Sequence, residues 1–399
     1  MKTHQKALLD LLGRALFGAH VQLPENLDFK ALYKESNEQT VTVLVFDALT
    51  QDELKLIDKT TLDSFKTRVA YHTVVSSQLS YEQGEVLKIM RENAIPCAIL
   101  KGSSVAQNYP NPDLRVMGDI DLLVPSQFQE KTAELIKNEG TKISKTTNQY
   151  HISVKRGNIE IEVHDKPNGL GLPMEESTKK KLGEIFKNAL EKVQIKGESP
   201  TLSTQHQALS LLLHKLSHFL NEGIGLRQLC DWACFVKEVL NEEEFEKLKP
   251  TLEEFGLLQF AGAVTRVCCD FLHLPKECAK WALEFDKDLS AEIIEQILTH
   301  GNFGCKENTY GQRLFTDSTS KNRLMSAVKV LTRTCKERWS PCRKYPVLLI
   351  IAPFVLFFKY LDMRRKNLRP KLELAKIYKK SKPKQELYKS LKPFITKKQ

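Results

Sequence analysis

Two short stretches, Ile99-Leu-Lys-Gly-Ser-Ser104 and Val116-Met-Gly-Asp-Ile-Asp-Leu-Leu-Val124, decide the fold of the chain around them. The first predicts the end of an apolar strand over residues 95–100, followed by a turn and a short helical segment. The second predicts a strand in which Asp119 and Asp121 point to one face, because side chains alternate along a strand. Two like charges on one face repel each other, and a divalent cation between them relieves that repulsion. Ligands that are all oxygen favour Mg²⁺, which completes its shell with waters and substrate phosphates.

A third carboxylate is expected from the segment Asn158-Ile-Glu-Ile-Glu-Val-His164, which alternates apolar and polar residues. This alternation predicts a second strand, and residues 150–154 predict its hairpin partner. Glu160, Glu162 and His164 share one face of the second strand. If it pairs with the Asp119 strand, either glutamate can reach the two aspartates, and the spacing alone does not choose between them.

The turn at Gly102-Ser103 is a predicted phosphate site. Glycine lets the backbone approach a phosphate closely, and N–H groups at the start of a helix attract anions. Lys101 and Arg115 lie close by in the sequence and are able to offset phosphate charge. Ordinary surface charges are the alternative interpretation of these two side chains.

Together these motifs resemble the DNA polymerase β-like nucleotidyltransferase superfamily, which has Gly-Ser, a spacer, Asp-x-Asp between apolar residues and a distant third acid. The sequence from Lys101 to Val124 looks closer still to a bacterial family of uncharacterised nucleotidyltransferases. In that family the third acid belongs to an acid-Leu-His signature, which Glu162-Val163-His164 matches here with Glu in place of the commoner Asp. The resemblance therefore favours Glu162 over Glu160.

The resemblance implies an enzyme that transfers a nucleoside monophosphate from an NTP, with ATP among the candidates, to a hydroxyl or similar group. A small molecule, a glycan precursor or a peptide is the expected acceptor. Two Mg²⁺ ions would be held by Asp119, Asp121 and Glu162, which are also the predicted catalytic residues. The nucleotide would contact a second set of residues, namely Lys101, Gly102, Ser103, Arg115 and His164. Two other functions stay open: a template-independent nucleic-acid nucleotidyltransferase, and a non-catalytic binding module at a membrane surface.

The predicted fold class is α+β, a small mixed β-sheet nucleotidyltransferase core with flanking helices, embedded in mainly helical N- and C-terminal regions. A length of 399 residues allows two or three domains. We expect a helical N-terminal region at 1–93, the α/β core at 94–170, a helical domain at 171–340, and an apolar segment with a basic tail at 341–399.

Several helical features carry smaller predictions. Ser126 is expected to cap a helix that ends near Gly140, and residues 201–239 are expected to form one helix. On that helix His214 and His218 have the i, i+4 spacing of metal ligands, but without a third ligand packed core histidines are favoured over zinc. Arg227 and Asp231 are also four residues apart and predict an intrahelical ion pair. A role for this pair in lining the active cleft is the alternative that the resemblance leaves open.

The charge of the chain is concentrated at one end. The formal net charge is +11, but residues 359–399 contain 15 Lys and Arg against 3 Asp and Glu, so the remainder is close to neutral. A near-neutral body argues against a nucleic-acid partner. The apolar run at 346–358 is too short to span a bilayer and contains Pro353. An apolar run joined to a basic tail is typical of a segment that contacts an anionic membrane surface. The favoured interpretation, however, is a core helix followed by a disordered, solvated tail.

The expected compartment is the cytoplasm, with peripheral attachment at the inner face of the membrane as a variant. Nine cysteines without a CxxC pair are typical of reduced thiols. Residues 1–12 mix polar and apolar residues in a helical pattern without an uninterrupted apolar core, so they do not resemble a signal peptide.

Overall fold

Seven strands form one mixed sheet in the described part of the computed structural model of this chain. They are β1 (Ala98–Ile99), β2 (Asp119–Leu123), β3 (Ile143–Lys145), β4 (His151–Arg156), β5 (Ile159–His164), β6 (Gln194–Lys196) and β7 (Ser199–Thr201). Their order across the sheet is β3-β4-β5-β2-β1-β7-β6. Strand β2 is parallel to β5 and antiparallel to β1, which makes the sheet mixed. The predicted α+β class is confirmed.

Helices account for most of the remaining described chain. Those before and within the core are α1 (Thr3–Phe17), α2 (Phe29–Glu38), α3 (Thr42–Ala48), α4 (Gln51–Lys55), α5 (Lys59–Glu92), α6 (Ser103–Ala106) and α7 (Gln129–Leu135). Those after the core are α8 (Glu176–Lys187), α9 (Thr204–Asn221), α10 (Leu226–Glu238), α11 (Glu242–Glu254), α12 (Leu258–Phe271), α13 (Lys287–His300), α14 (Pro341–Lys344) and α15 (Ala352–Arg365). The structure describes residues 1–137, 143–145, 151–167, 172, 174, 176–197, 199–221, 223–302, 331–332, 335–336, 339, 341–365, 382, 385–391 and 393–394.

One face of the sheet packs against α5 and α7. Ile120 and Leu122 of β2 lie on this face and share a hydrophobic cluster with Val86 and Met90 of α5 and Ala133 of α7. The aspartates between these apolar residues point the other way, as the alternation predicts. The period-two pattern therefore separates a buried apolar face from a face that carries carboxylates.

A second and larger hydrophobic core contains residues of the N-terminal helices and of the helices that follow the sheet. It includes Leu8 and Leu12 of α1, Leu212 of α9, Trp232 of α10 and Val264 of α12. The N-terminal helices thus pack against helices that follow the sheet. The domain boundaries at 93, 170 and 340 stay predictions.

The structure corrects several details of the elements. Strand β1 covers two residues only, although the Leu100 N–H still donates to the Asp121 carbonyl at 3.0 Å. The helix expected over 201–239 is two helices, because the chain breaks at Gly223, where φ is +104°. Ser126 caps no helix; its hydroxyl donates to Asp165, and the α-helix that follows ends at Leu135. The predicted stop at Gly140 lies outside the described residues.

Much of the apolar run near the C-terminus is exposed, so the favoured interpretation as a core helix is wrong for these residues. Ala352 alone of the run is fully buried, in a small cluster with Cys335 and Cys342. Ile350, Phe354 and Phe358 are 73%, 64% and 66% exposed. Residues 385–391 of the tail, in contrast, are helical, and Leu387 and Leu391 are buried in the large core. The tail is therefore not wholly solvated. Within the described ranges, every helix is too short or too polar to cross a membrane.

Candidate active site

The three predicted acids lie together on the face of the sheet opposite α5. Parallel pairing places Asp121 beside Glu162 and Asp119 beside Glu160. One ligand oxygen from each of Asp119, Asp121 and Glu162 lies within 4.8 Å of the others. Glu160 is outside this group, because its carboxylate is solvent-exposed and accepts a hydrogen bond from Ser153. The choice of Glu162 over Glu160 thus agrees with the position of the side chains, while its catalytic role stays a prediction.

Lys101 contacts both aspartates. Its Nζ lies 3.2 Å from Asp119 Oδ2 and 3.1 Å from Asp121 Oδ2. Burial alone lowers a lysine pKa, but the carboxylates of Asp121 and Asp119 outweigh it and raise the pKa of Lys101 above its usual value. The ammonium therefore stays charged and partly offsets the repulsion between the two aspartates.

The two aspartates differ in their electrostatic environment. Burial, followed by repulsion from Asp121, raises the pKa of Asp119. Burial also works to raise the pKa of Asp121, but Lys101 and His164 outweigh it and hold that pKa well below its usual range. Asp121 is consequently the firmly ionised member of the pair, and its buried Oδ2 faces the Lys101 ammonium.

His164 lies at the centre of the cluster. Its Nε2 is 3.1 Å from Asp121 Oδ1 and 3.2 Å from Glu162 Oε2. Burial opposes protonation, yet these two carboxylates raise the pKa of His164 to about 9. The side chain predicted to contact nucleotide thus directly contacts two of the predicted metal ligands.

His151 is a residue of the site that the sequence analysis missed. It stands directly opposite His164 in the antiparallel β4–β5 pair, and its Nε2 lies 3.4 Å from Glu162 Oε1. The signal was present in the predicted hairpin, because directly opposed residues of two strands share a face.

The Gly102-Ser103 turn borders the cluster and starts the short helix α6. Gly102 has φ +70° and ψ −120°, a conformation that favours glycine. The Ser103 hydroxyl is 2.6 Å from Gln83 Oε1 and 3.0 Å from Ser199 Oγ. A shallow depression is lined by this turn together with Lys101 and Asp119. A larger cavity near Glu35 lies between α1, α2 and α13, away from this cluster.

Arg115 was predicted to contact phosphate, and in the structure its guanidinium pairs with the carboxylate of Asp231. Its Nε and Nη2 each donate to Asp231 at 2.8 Å, and the Tyr109 hydroxyl donates to the same carboxylate at 2.7 Å. Asp231 therefore pairs with Arg115 instead of Arg227, whose guanidinium donates to the Val116 carbonyl. The predicted Arg227–Asp231 ion pair is wrong, because the guanidinium of Arg115 occupies the Asp231 carboxylate instead. Contact between Arg115 and a phosphate stays a prediction.

His214 and His218, whose spacing in the sequence is that of metal ligands, pack against each other. The rings of His214 and His218 meet edge to face with centroids 4.4 Å apart. Burial, followed by His218, holds the pKa of His214 well below its usual value. Among the described residues, the two groups with the spacing of metal ligands both lie at the sheet and neither includes this pair.

Carboxylates on adjacent strands of a mixed sheet, beside a Gly-Ser turn, define the class of protein as a nucleotidyltransferase. The chain belongs to the uncharacterised nucleotidyltransferase family, whose family model matches residues 25–273, more than half of its length. This match confirms the predicted family and the assignment as a transferase of nucleotidyl groups. Neither the curated proteins nor the solved structures contain a match to the chain.

Proposed function

We propose that this nucleotidyltransferase is Mg²⁺-dependent and moves a nucleoside monophosphate from an NTP to a hydroxyl or similar group of a small molecule, a glycan precursor or a peptide. One observation carries the proposal: Asp119, Asp121 and Glu162 converge from two parallel strands to within 4.8 Å. An all-oxygen donor set of this kind suits Mg²⁺.

In this proposal the carboxylates of Asp119, Asp121 and Glu162 hold the metal. Bound Mg²⁺ supplies positive charge for the triphosphate and lowers the pKa of the acceptor hydroxyl. The acceptor oxygen forms a bond to the α-phosphorus, and the bond to the bridging oxygen breaks. Pyrophosphate leaves with that electron pair, and the hydroxyl proton passes to water. The Gly102-Ser103 backbone and Lys101 stabilise the charge of the leaving group.

The test is a melting-temperature screen of the full chain with each of the four NTPs and Mg²⁺. A ligand that binds only the folded chain stabilises it by about 2.7 kcal/mol at a hundredfold excess over Kd. We expect this stabilisation for at least one NTP and its loss in Asp119→Asn and Glu162→Gln. Glu160→Gln is the matched control, because Glu160 lies on the same strand but outside the cluster. Equal stabilisation of Glu162→Gln and the wild type contradicts the proposal.

Polymerisation of nucleic acid is the weaker alternative. The Lys and Arg excess lies in residues 359–399, and the rest of the chain is close to neutral. A protein that tracks a polynucleotide backbone needs basic side chains along its binding groove. Steeply salt-dependent RNA binding that survives charge reversal in the tail is the result that favours this alternative.

We also propose that the apolar run docks on an anionic membrane surface. Its exposed apolar residues are Val347, Ile350, Ile351, Phe354, Phe357 and Phe358, and the exposed Tyr345 directly precedes it. They are followed by Lys359 and Arg365 and by a tail that is strongly basic. A helix as short as α15 rises about 21 Å, less than the roughly 30 Å of a bilayer core. Apolar side chains beside basic ones suit insertion into an anionic interface.

Vesicle co-sedimentation tests this docking. We expect binding to vesicles that contain phosphatidylglycerol, little binding to pure phosphatidylcholine, and loss of binding in Phe354→Ser/Phe358→Ser. Leu56→Ser is the control, since Leu56 is 68% exposed but lies far along the chain from α15. Absence of vesicle binding overturns the proposal, and so does self-association through this face without vesicle binding. Equal binding to both lipids overturns its electrostatic part.

A further inference from the structure

Two histidines and a glutamate form a second group of potential ligands beside the three acids. His151 of β4 stands directly opposite His164 of β5, and Glu162 precedes His164 by two residues on the same face. One ligand atom from each of the three lies within 4.8 Å of the others. His151 Nε2 faces Glu162 Oε1, whereas His164 Nε2 faces Glu162 Oε2. Glu162 is thus the one member that both groups share.

We propose that His151, Glu162 and His164 form a second cation site, which binds a borderline transition-metal dication such as Zn²⁺ or Co²⁺. This inference deepens the proposed nucleotidyl transfer and rests on it for any role in the reaction. Binding of the cation itself does not depend on that activity. Glu162 is common to the two sites.

The distances within the trio suit a tetrahedral ion. Bonds of about 2.05 Å from zinc to nitrogen and oxygen place neighbouring tetrahedral ligands about 3.3 Å apart. His151 Nε2 lies 3.4 Å from Glu162 Oε1, and His164 Nε2 lies 3.2 Å from Glu162 Oε2, so each nitrogen has this spacing to one oxygen of the shared carboxylate. The ligands come from two hydrogen-bonded strands, which keeps their spacing fixed. Side chains of His151 and Glu162 retain 18% and 20% exposure, so water or a substrate atom has access to the remaining position.

The donor atoms separate the two sites chemically. Asp119 and Asp121 offer oxygen only, which suits a hard ion such as Mg²⁺. Imidazole nitrogen raises affinity for zinc, cobalt and related ions far more than for magnesium. Excess Mg²⁺ is therefore expected to fill the aspartate site while leaving the histidine site to the softer ion.

Hydrogen bonding is the competing explanation of the same distances. Each histidine can donate an Nε2–H to Glu162, and His164 can donate to Asp121 as well, which orients these carboxylates without any cation. In that case the histidines are positioning residues only. The two explanations differ in one measurable respect, because only the first predicts a stoichiometric transition metal in the presence of excess magnesium.

Cobalt titration of the chelator-treated full chain in excess Mg²⁺ tests the proposal. Visible absorption reports nitrogen ligation, and elemental analysis after gel filtration gives the stoichiometry. We expect one Co²⁺ per chain, which Zn²⁺ displaces. His151→Ala should weaken Co²⁺ binding by about 100-fold or more, because it removes a direct ligand, whereas loss of an outer-shell partner costs 10–100-fold. His151 is partly exposed, so this variant is expected to fold, and its melting curve verifies that.

Two control variants locate the ion. Asp119→Asn should keep Co²⁺ and lose the Mg-NTP stabilisation, which separates this inference from the proposed function. His218→Ala should keep Co²⁺, because the His214–His218 pair is the alternative histidine site of the described chain. No retained Co²⁺, or unchanged binding in His151→Ala, overturns the inference even where Mg-NTP still stabilises the wild type. Loss of Co²⁺ in His218→Ala alone overturns it as well.

Discussion

The Lys101 ammonium lies between two carboxylates and reduces their mutual repulsion. Removing it takes away the one ammonium that contacts both carboxylates and leaves Asp121 paired with His164. We expect Lys101→Met to lower the free energy of unfolding by about 2 kcal/mol, below the 3–5 kcal/mol of a fully buried pair because Lys101 and Asp119 are partly exposed. Mg²⁺ should then stabilise the variant more than the wild type, because it no longer competes with the lysine.

Urea unfolding with and without Mg²⁺ measures both effects. Lys55→Met is the control, since Lys55 pairs with Asp52 on the surface, where such pairs contribute about 0–1 kcal/mol. A variant as stable as the wild type without magnesium shows that Lys101 does not balance the aspartates.

Lys215 is a buried amine that predicts an unusual pH dependence. Its side chain is 1% exposed, and its Nζ lies 5.2 Å from the centre of the Trp232 ring. Burial lowers the pKa of Lys215 from 10.5 to about 8, despite the attraction of Asp231. Between these values the unfolded chain binds more protons than the folded one, so stability from this group rises with pH. Below pH 8 Lys215 is charged in both the folded and the unfolded chain, so burial of the ammonium lowers the free energy of unfolding by its full amount.

Lys215→Met should therefore stabilise the chain by about 3 kcal/mol at pH 7. The difference from the wild type should shrink as pH rises from 8 towards 10.5. Paired urea titrations at four pH values measure it, and other titrating groups cancel in the comparison. A difference that stays constant with pH contradicts the assignment.

At the level of elements, one buried ion pair ties α10 to the loop that follows α6. Arg115 and Tyr109 both donate to Asp231, and all three are buried. Burial works to raise the pKa of Asp231, but Arg115 outweighs it and lowers that pKa. The stabilisation is thus present at neutral pH and is lost as pH falls through the folded-state pKa.

Asp231→Asn should destabilise the chain by about 3–5 kcal/mol, because it leaves the Arg115 charge buried and unpaired. Arg115→Lys should not substitute for arginine, since lysine cannot make the two parallel hydrogen bonds. The double variant Arg115→Met/Asp231→Leu is expected to be more stable than either Arg115→Met or Asp231→Leu alone. Urea unfolding of the wild type, the single variants and the double variant measures these free energies. If the losses in Arg115→Met and Asp231→Leu simply add in the double variant, the two residues are not coupled.

For the whole molecule, the C-terminal tail contributes to the main core. Leu391 is fully buried in the large cluster, whereas Phe354 of α15 is 64% exposed. Leu391→Ala should lower the free energy of unfolding by about 2–5 kcal/mol through lost burial and a residual cavity. Phe354→Ala should change it by less than about 0.5 kcal/mol. Thermal and urea unfolding of the two variants compare them directly, and equal losses contradict the different burial of the two residues.

Much of the site follows from local patterns. The alternation in Asp119-Ile-Asp121 and in Glu160-Ile-Glu162 assigns each side chain to a face, because the period of a strand is fixed by its backbone. The Gly102 turn was likewise expected from its residue type. The break between α9 and α10 was not expected, since the apolar period continues through the leucines of α9 and into α10.

The sequence by itself determined the class of fold, the two strands with their carboxylates, and the family, because these depend on short segments and on the fixed geometry of the backbone. The tertiary structure alone decided that Arg115 pairs with Asp231, that His151 reaches Glu162, and that much of the run at 346–358 is exposed while Leu391 is buried. Such partners come from distant segments, and tertiary packing selects them among many chemically similar side chains. The periodicity of the local sequence predicts which face a side chain lies on, but it does not predict which distant side chain it contacts.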